Sequence, residues 1–236
     1  MSQEIVFKSN MLVSLIRQNG RDLDVARSAW VSTQGEDARD QDSTKVAGLI
    51  NFLLRERHGS TFEHNTFTFF VKTPIFVARE FMRHRIASFN EESGRYAVLK
   101  PEFYVPDAER KLVQTGKPGA YHFVEGTDFQ FQTMRAATRV SSEYSYRAYE
   151  TMLEAGVAKE VARMVLPVNI YTSFYCTMNA RALMHFLGLR TEHEDATFPS
   201  HPQLEIQMVA DQMEAYFAEA MPITHAAWVK AGRVAP

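Results

Sequence analysis

Between Arg83 and Tyr96 the chain reads Arg-His-Arg-Ile-Ala-Ser-Phe-Asn-Glu-Glu-Ser-Gly-Arg-Tyr, which sets three guanidiniums, an imidazole, two carboxylates and two serines in one short segment. The formal net charge of the whole chain is only -2 at pH 7. Nothing global requires Arg83, Arg85 and Arg95 to gather, so a local anionic ligand explains them. Planar guanidinium forks match phosphate oxygens bidentately, which makes a phosphate-bearing small molecule the expected ligand. Ser93-Gly94-Arg95 adds a hydroxyl, glycine-exposed backbone N–H groups and a guanidinium within one turn, the components of an anion cradle. The same three residues also read as a polar turn with Arg95 in a surface ion pair, and spacing alone does not separate the two.

Other chemistry is less well supported. A nucleophilic serine needs an adjacent base, and neither Glu91 nor Glu92 is an obvious one for Ser93. Among the eight histidines, His58 and His64 lack partners at helical ligand spacing and no His-Glu-x-x-His pattern occurs, so no metal site is expected. The single cysteine, Cys176, excludes an intramolecular disulfide and a multi-cysteine metal site. It lies among Phe174, Tyr175 and Met178 without a nearby cation and reads as an inert core residue. No Gly-x-Gly-x-x-Gly or Walker-type loop is present, so any nucleotide is held by another architecture.

These residues need a scaffold, and composition bounds it. The 236 residues, 45% of them hydrophobic, suffice for a large core. With 26 basic and 28 acidic residues the surface is no polyelectrolyte of the kind that grips duplex nucleic acid. No stretch approaches the roughly 20 apolar residues of a membrane span, and no basic-then-apolar leader opens the sequence. A soluble, cytoplasmic protein is expected. We find no repeat and no convincing linker, so the default is one α+β domain over 1–236, helix-rich around an antiparallel or mixed sheet.

Along the chain, Met11 to Arg17 reads as a strand ended by Asn19-Gly20, with Asp22 capping the helix that follows. The polar stretch from Gly35 to Ser43 reads as a loop, and Ser43 offers an N-cap to Val46, Ile50, Leu53 and Leu54 at helical spacing. Phe67 to Lys72 is a strand by composition. Thr73, with a capping hydroxyl, and Pro74, suited to a first helical turn, then predict a helix from Ile75 to about Arg83, which puts the charged segment where a helix runs into a loop. From Pro101 to Gly126 an irregular excursion is expected. Thr127 or Asp128 caps a long helix ending at Gly156, a short helix surrounds Val161, and Tyr171 to Met178 reads as a strand. Asn179 opens a further helix closed by Gly188 and Arg190. After an acidic loop from Glu192 to Ser200, Ile206, Val209, Met213 and Phe217 give the last helical stripe.

The pattern Arg83-His84-Arg85-x-x-Ser88 through Ser93-x-Arg95 resembles the signature of flavin-dependent thymidylate synthases. Further segments agree in order: His58-Gly-Ser-Thr-Phe-Glu63-His64, Ala162-Arg163-Met-Val-Leu-Pro167, Asn179-Ala-Arg181-x-Leu-Met-His185-Phe-Leu-x-Leu-Arg190, and His201-x-Gln-x-Glu205-Ile-Gln207. The resemblance spans most of the chain and is weakest from Tyr104 to Asp128.

The resemblance implies reductive methylation of dUMP to dTMP, with 5,10-methylenetetrahydrofolate as carbon donor, FAD as hydride carrier and NADPH as reductant, in a homotetramer with shared sites. Glu80, Arg83, Glu91, Glu92, Ser93, Gly94 and Arg95 are then expected at dUMP, with Arg163 entering from a neighbouring subunit. Ser60, Arg83, His84, Arg85, Glu91, Asn179, Arg181, His185 and His201 are expected around FAD, and His58 and Tyr96 where folate stacks. Arg190 is the implied activating arginine. Glu80 stands where some relatives carry glutamine, so its contact with an anionic nucleotide is expected to run through a ribose hydroxyl or a neighbouring guanidinium. His185 stands where others carry asparagine, and Glu192 to Ser200 reads as an insertion before His201. Two other classes compete with this reading: a non-catalytic nucleotide-binding regulator and a metal-dependent nucleotide phosphohydrolase.

Overall fold

The computed structural model describes residues 4–40, 45–117 and 120–236. Its strands are β1 (Val6–Lys8), β2 (Leu12–Asn19), β3 (Thr66–Pro74), β4 (Ser88–Glu91), β5 (Glu102–Tyr104), β6 (Val113–Lys117), β7 (Ala120–Val124) and β8 (Tyr171–Met178). Its helices are α1 (Asp22–Gln34), α2 (Val46–Arg55), α3 (Ile75–Phe81), α4 (Asp128–Glu154), α5 (Lys159–Ala162), α6 (Ala180–Arg190), α7 (Leu204–Ala220) and α8 (Pro222–Lys230). The chain is therefore α+β and richer in helix than strand. It divides into two compact units whose boundaries fall between β1 and β2 and within β3, α3, β4 and β8. Among the described residues no helix is long and apolar enough to cross a membrane.

One unit comprises Met1–Met11, Lys72–Arg79 and Glu91–Ser173. Here β1 pairs in parallel with β5, and Glu102 of β5 forms ion pairs with Lys8 and Lys72. The long helix α4 starts where Thr127 accepts from Gln130 N while the Gln130 side chain accepts from Thr127 N, a reciprocal cap. Its buried Tyr146 and Tyr149 pack with Phe103 and Ile170. Both phenols also grip Leu99: Tyr146 Oη donates to the Leu99 carbonyl at 2.9 Å, and Leu99 N–H donates to Tyr149 Oη at 3.3 Å. Thr73 does not cap α3, because β3 runs on to Pro74 and the Thr73 hydroxyl points to Met11 Sδ at 3.3 Å. The expected irregular excursion from Pro101 to Gly126 contains β5 and an antiparallel β6–β7 hairpin. Gly116, at φ 92, lies within β6 opposite Tyr121.

The other unit comprises Leu12–Val71, Glu80–Asn90 and Phe174–Pro236. Its sheet has the order β2-β3-β8-β4. Period-two alternation buries Phe67, Phe69 and Val71 from β3 and Phe174, Cys176 and Met178 from β8. Helices α6 and α7 add Leu183, Phe186, Leu187, Ile206, Val209, Met213 and Phe217, all fully buried. The expected Ser43 cap of α2 lies outside the described residues. Arg57, beyond the end of α2, takes a left-handed φ of 58, with its N–H on Leu54 O at 3.2 Å and His58 N–H on Leu53 O at 2.8 Å.

Asp22 corrects the sequence reading. It caps α8, not α1: its carboxylate accepts from Ile223 N at 3.0 Å and from Thr224 N at 2.8 Å. At α1 it is Asp24 that accepts from Arg21 N, at 2.7 Å. Helix α8 itself had no strong sequence stripe, because Thr224, Ala227 and Trp228 are its only buried residues.

Candidate functional site

Two groups of candidate residues form, one in each unit. In the unit built on β2-β3-β8-β4, two asparagines serve the exposed amides at the start of α6: Asn179 Oδ1 accepts from Ala182 N at 2.8 Å and Asn65 Oδ1 from Ala180 N at 2.7 Å. This fixes a helix that carries Arg181, His185 and Arg190. At its last residue the Arg190 guanidinium donates from Nη1 to Glu80 Oε2 at 2.6 Å and from Nε to His84 Nε2 at 3.1 Å. Both ion-pair partners are mostly buried, with side chains 20% and 23% exposed. Glu80 Oε1 is buried without a partner.

Burial governs the electrostatics of this cluster. It raises the Glu80 carboxyl above the ordinary range and outweighs the lowering by Arg190; the neighbouring carboxylate Glu205 raises it further. Burial also pushes the His84 imidazole down to about 4, with Arg190 and His185 acting in the same direction. His185 is lowered by burial and by Arg181. Both rings are therefore neutral at pH 7, each with one accepting nitrogen.

Arg181 is held differently. Its Nε donates to the Pro236 carbonyl and its Nη1 to Glu63 Oε1, each at 2.6 Å. Gly59 makes this possible, since a Cβ there would lie 2.5 Å from Arg181 Nε. Ser60 follows it with an exposed side chain, and His58 sets its ring edge-on to Phe52. His201 is exposed, with Nδ1 3.5 Å from Glu192 Oε1. Arg83 and Arg85 are exposed and make no ion pair among the described residues. Beside His185 a recess of about 300 Å³ is walled by Arg57, Leu189, Phe198 and Ser200.

The other unit holds the turn from Ser93 to Tyr96. The Ser93 carbonyl accepts from Tyr96 N and Ala97 N, both at 3.0 Å, and Ser93 Oγ accepts from Arg95 N at 3.3 Å. Gly94 is buried, and a Cβ there would lie 3.1 Å from both Arg163 Cδ and Leu99 Cδ1. Missing side-chain bulk at Gly94 thus lets Arg163 lie against this turn. Arg95 pairs with Glu160 at 2.9 Å, both half-exposed. Such a pair contributes at most about 1 kcal/mol, so an arriving phosphate can displace it. Glu91 accepts from the Thr172 hydroxyl at 2.7 Å, Glu92 is exposed, and Tyr96 is 75% exposed.

Nucleophile chemistry finds no support. No side-chain base bonds to Ser93 among the described residues, and burial pushes the Cys176 thiol up to about 12. Among the described residues no three His, Cys, Asp or Glu side chains gather as metal ligands would. Three residues gained importance only from the structure. Glu63 and Glu205 stood in segments singled out by sequence but carried no role there, and nothing in the sequence pointed to Asn65.

Comparison with known proteins adds a family. Residues 14–223 match the family model described as "Thymidylate synthase complementing protein". The chain is 56% identical to the flavin-dependent thymidylate synthase of Streptomyces coelicolor, covering 99% of this chain and 96% of that protein. It is 52% identical to the flavin-dependent thymidylate synthase of Tropheryma whipplei, covering 98% and 97%. Among solved structures, a UMP/dUMP methylase, PolB, from Streptomyces cacaoi bound with 5-Br dUMP superposes with a TM-score of 0.93 at 50% identity, covering 98% of this chain and 100% of that one. The same enzyme bound with 5-Br UMP gives 0.92 at 49% identity, covering 99% and 100%.

Proposed function

Since the chain belongs to the family of thymidylate synthase complementing proteins, the flavin-dependent thymidylate synthases, we propose that it is an enzyme that reductively methylates dUMP to dTMP. Its carbon donor is 5,10-methylenetetrahydrofolate, its hydride carrier FAD reduced by NADPH, and its folate product tetrahydrofolate. When bound, FAD supplies the hydride that completes the methyl group.

The donor set fits such a cofactor. Arg83 and Arg85, exposed and without an ion pair among the described residues, offer cations for a pyrophosphate. Asn179 spends its carbonyl on the α6 cap and keeps its amide hydrogens. Neutral His84 and His185, Ser60, Glu91, Arg181 and His201 complete the proposed set.

The observation that carries the reading is Arg190 at the end of α6. The uracil C5 carbon is a weak nucleophile unless negative charge developing on the ring is stabilised. A guanidinium already fixed by Glu80 and His84 can meet that charge at the N3/O2 edge without reorganising. Arg83, Glu92, Ser93, Gly94, Arg95 and Arg163 bind the nucleotide, chiefly its phosphate. Glu80 faces the nucleotide with its charge shared with Arg190, and His58 and Tyr96 line the folate face. No protein thiol takes part. We also propose a cytoplasmic homotetramer with sites shared between subunits.

A second reading concerns the sugar. The solved structure of the Streptomyces cacaoi enzyme with 5-Br UMP favours testing UMP as a substrate beside dUMP. The deciding experiment is the absorbance spectrum of the purified protein before and after NADPH, followed by product analysis with dUMP or UMP, the folate and a chelator. Flavin absorbance bleached by NADPH, with dTMP formed, is expected. A folded protein that takes up no flavin overturns the reading; chelator-sensitive phosphate release points to the hydrolase, and dUMP binding without flavin to the regulator.

A further inference from the structure

His84 has a place in the fold that a flavin contact does not account for. Its backbone N–H donates to the Phe81 carbonyl at 2.9 Å, continuing the turn at the end of α3. Its ring stands edge-on to Phe186, centroids 4.8 Å apart. Phe186 and Arg190 are one turn apart on α6 and share a face. The aromatic wedge that fixes the His84 ring therefore also directs Nε2 at Arg190. Of the Arg190 nitrogens, Nε reaches His84, Nη1 reaches Glu80, and Nη2 has no partner among the described residues.

We propose that His84 is a positioning residue for Arg190: its Nε2 lone pair accepts from Arg190 Nε–H, and with Glu80 it fixes the guanidinium plane so that Nη2 is left for the uracil edge. This rests on the thymidylate synthase reading for what Arg190 meets, and on the structure alone for the clamp. The arrangement requires a neutral ring with its proton on Nδ1. A second proton would set N–H against N–H. The charged and titratable groups facing His84 and Glu80 are Arg190 and His185 on α6 and Glu205 on α7. Its own burial, with the Arg190 cation beside it, keeps that second proton off.

His84→Leu removes the acceptor and His84→Gln restores one. In the FAD-loaded protein we expect His84→Leu to lower kcat for dTMP formation by about 100-fold with little change in the KM for dUMP. Rates are compared per bound flavin, flavin reduction by NADPH should stay as in the parent, and His84→Gln should recover most of the rate. Because the residue acts through Arg190, the double variant His84→Leu/Arg190→Ala should be no slower than Arg190→Ala. Equal defects per bound flavin in both His84 variants, or multiplying defects in the double variant, overturn the assignment. Nitrogen NMR of the protein without flavin reads the clamp independently of turnover, and a neutral Nδ1–H tautomer at pH 7 is expected. A charged or Nε2–H ring overturns the clamp, whereas a parent protein that forms no dTMP while keeping the neutral tautomer overturns only the function.

Discussion

Gly59 and Arg181 occupy the same space to within an atom: a Cβ on Gly59 would stand 2.5 Å from Arg181 Nε and 2.8 Å from the Pro236 carbonyl that Nε bonds. The obstacle includes backbone, which cannot swing aside. Gly59→Ala should therefore displace the guanidinium while leaving the fold intact. The expected outcome is a protein with unchanged circular dichroism and about tenfold weaker flavin retention, a loss of about 1.4 kcal/mol, read as the ratio of visible to ultraviolet absorbance. Full flavin occupancy would show that Arg181 does not hold the cofactor.

Cys176 is sealed in the core with its thiol pushed up to about 12 by burial. Thiolate, the reactive form, is scarce at any working pH. Native protein should resist iodoacetamide, and Cys176→Ala should keep its kcat for dTMP formation. Inactivation by alkylation of native protein at this position would contradict a mechanism without a protein thiol.

Glu214 lies between Arg233 at 2.5 Å and His225 at 2.9 Å. Hydrogen bonds and charge from both overcome burial and lower its carboxyl from 4.5 to about 2. A folded-state pKa below the unfolded value stabilises the protein above pH 4.5, and the contribution fades as pH falls through the interval down to about 2. Glu214→Gln should cost about 3 kcal/mol at pH 7, since it strands the buried Arg233 guanidinium. Urea melts should show the gap to the parent narrowing below pH 4.5; a gap constant with pH would mean that charge is not its source.

Arg57 ends α2 in a left-handed conformation that glycine adopts freely. Its two cap bonds use backbone only, so they survive substitution. Arg57→Gly should raise stability by about 0.5–1 kcal/mol, seen as a higher melting temperature. A lower one would mean that the arginine side chain stabilises the fold by contacts worth more than the strain.

Local signals carried well into the fold, and long-range ones did not. The β-branched and aromatic run over Tyr171–Met178 matches β8 to the residue, and of the two cap candidates Thr127 and Asp128 it is Thr127 that caps α4. Asp22 failed because a carboxylate at a helix start is read as serving the next amides along the chain, whereas its partners at Ile223 and Thr224 are some 200 residues away. Thr73 failed for the same reason, drawn off by Met11. Among the candidate residues, charge clustering pointed to Arg83, Arg85 and Arg95. The pairing of Arg190 with Glu80 and His84 spans more than 100 residues and has no local trace.

The turn that carries Ser93 is tethered at both ends. Glu92 N–H donates to the Ser173 carbonyl at 2.8 Å, and Leu99 is held through both of its backbone groups by Tyr146 and Tyr149. A segment staked down on either side has already surrendered its disorder before any ligand arrives. Capture of an anion there is then governed by Coulombic attraction, with little folding penalty, so its strength should decline steeply with added salt.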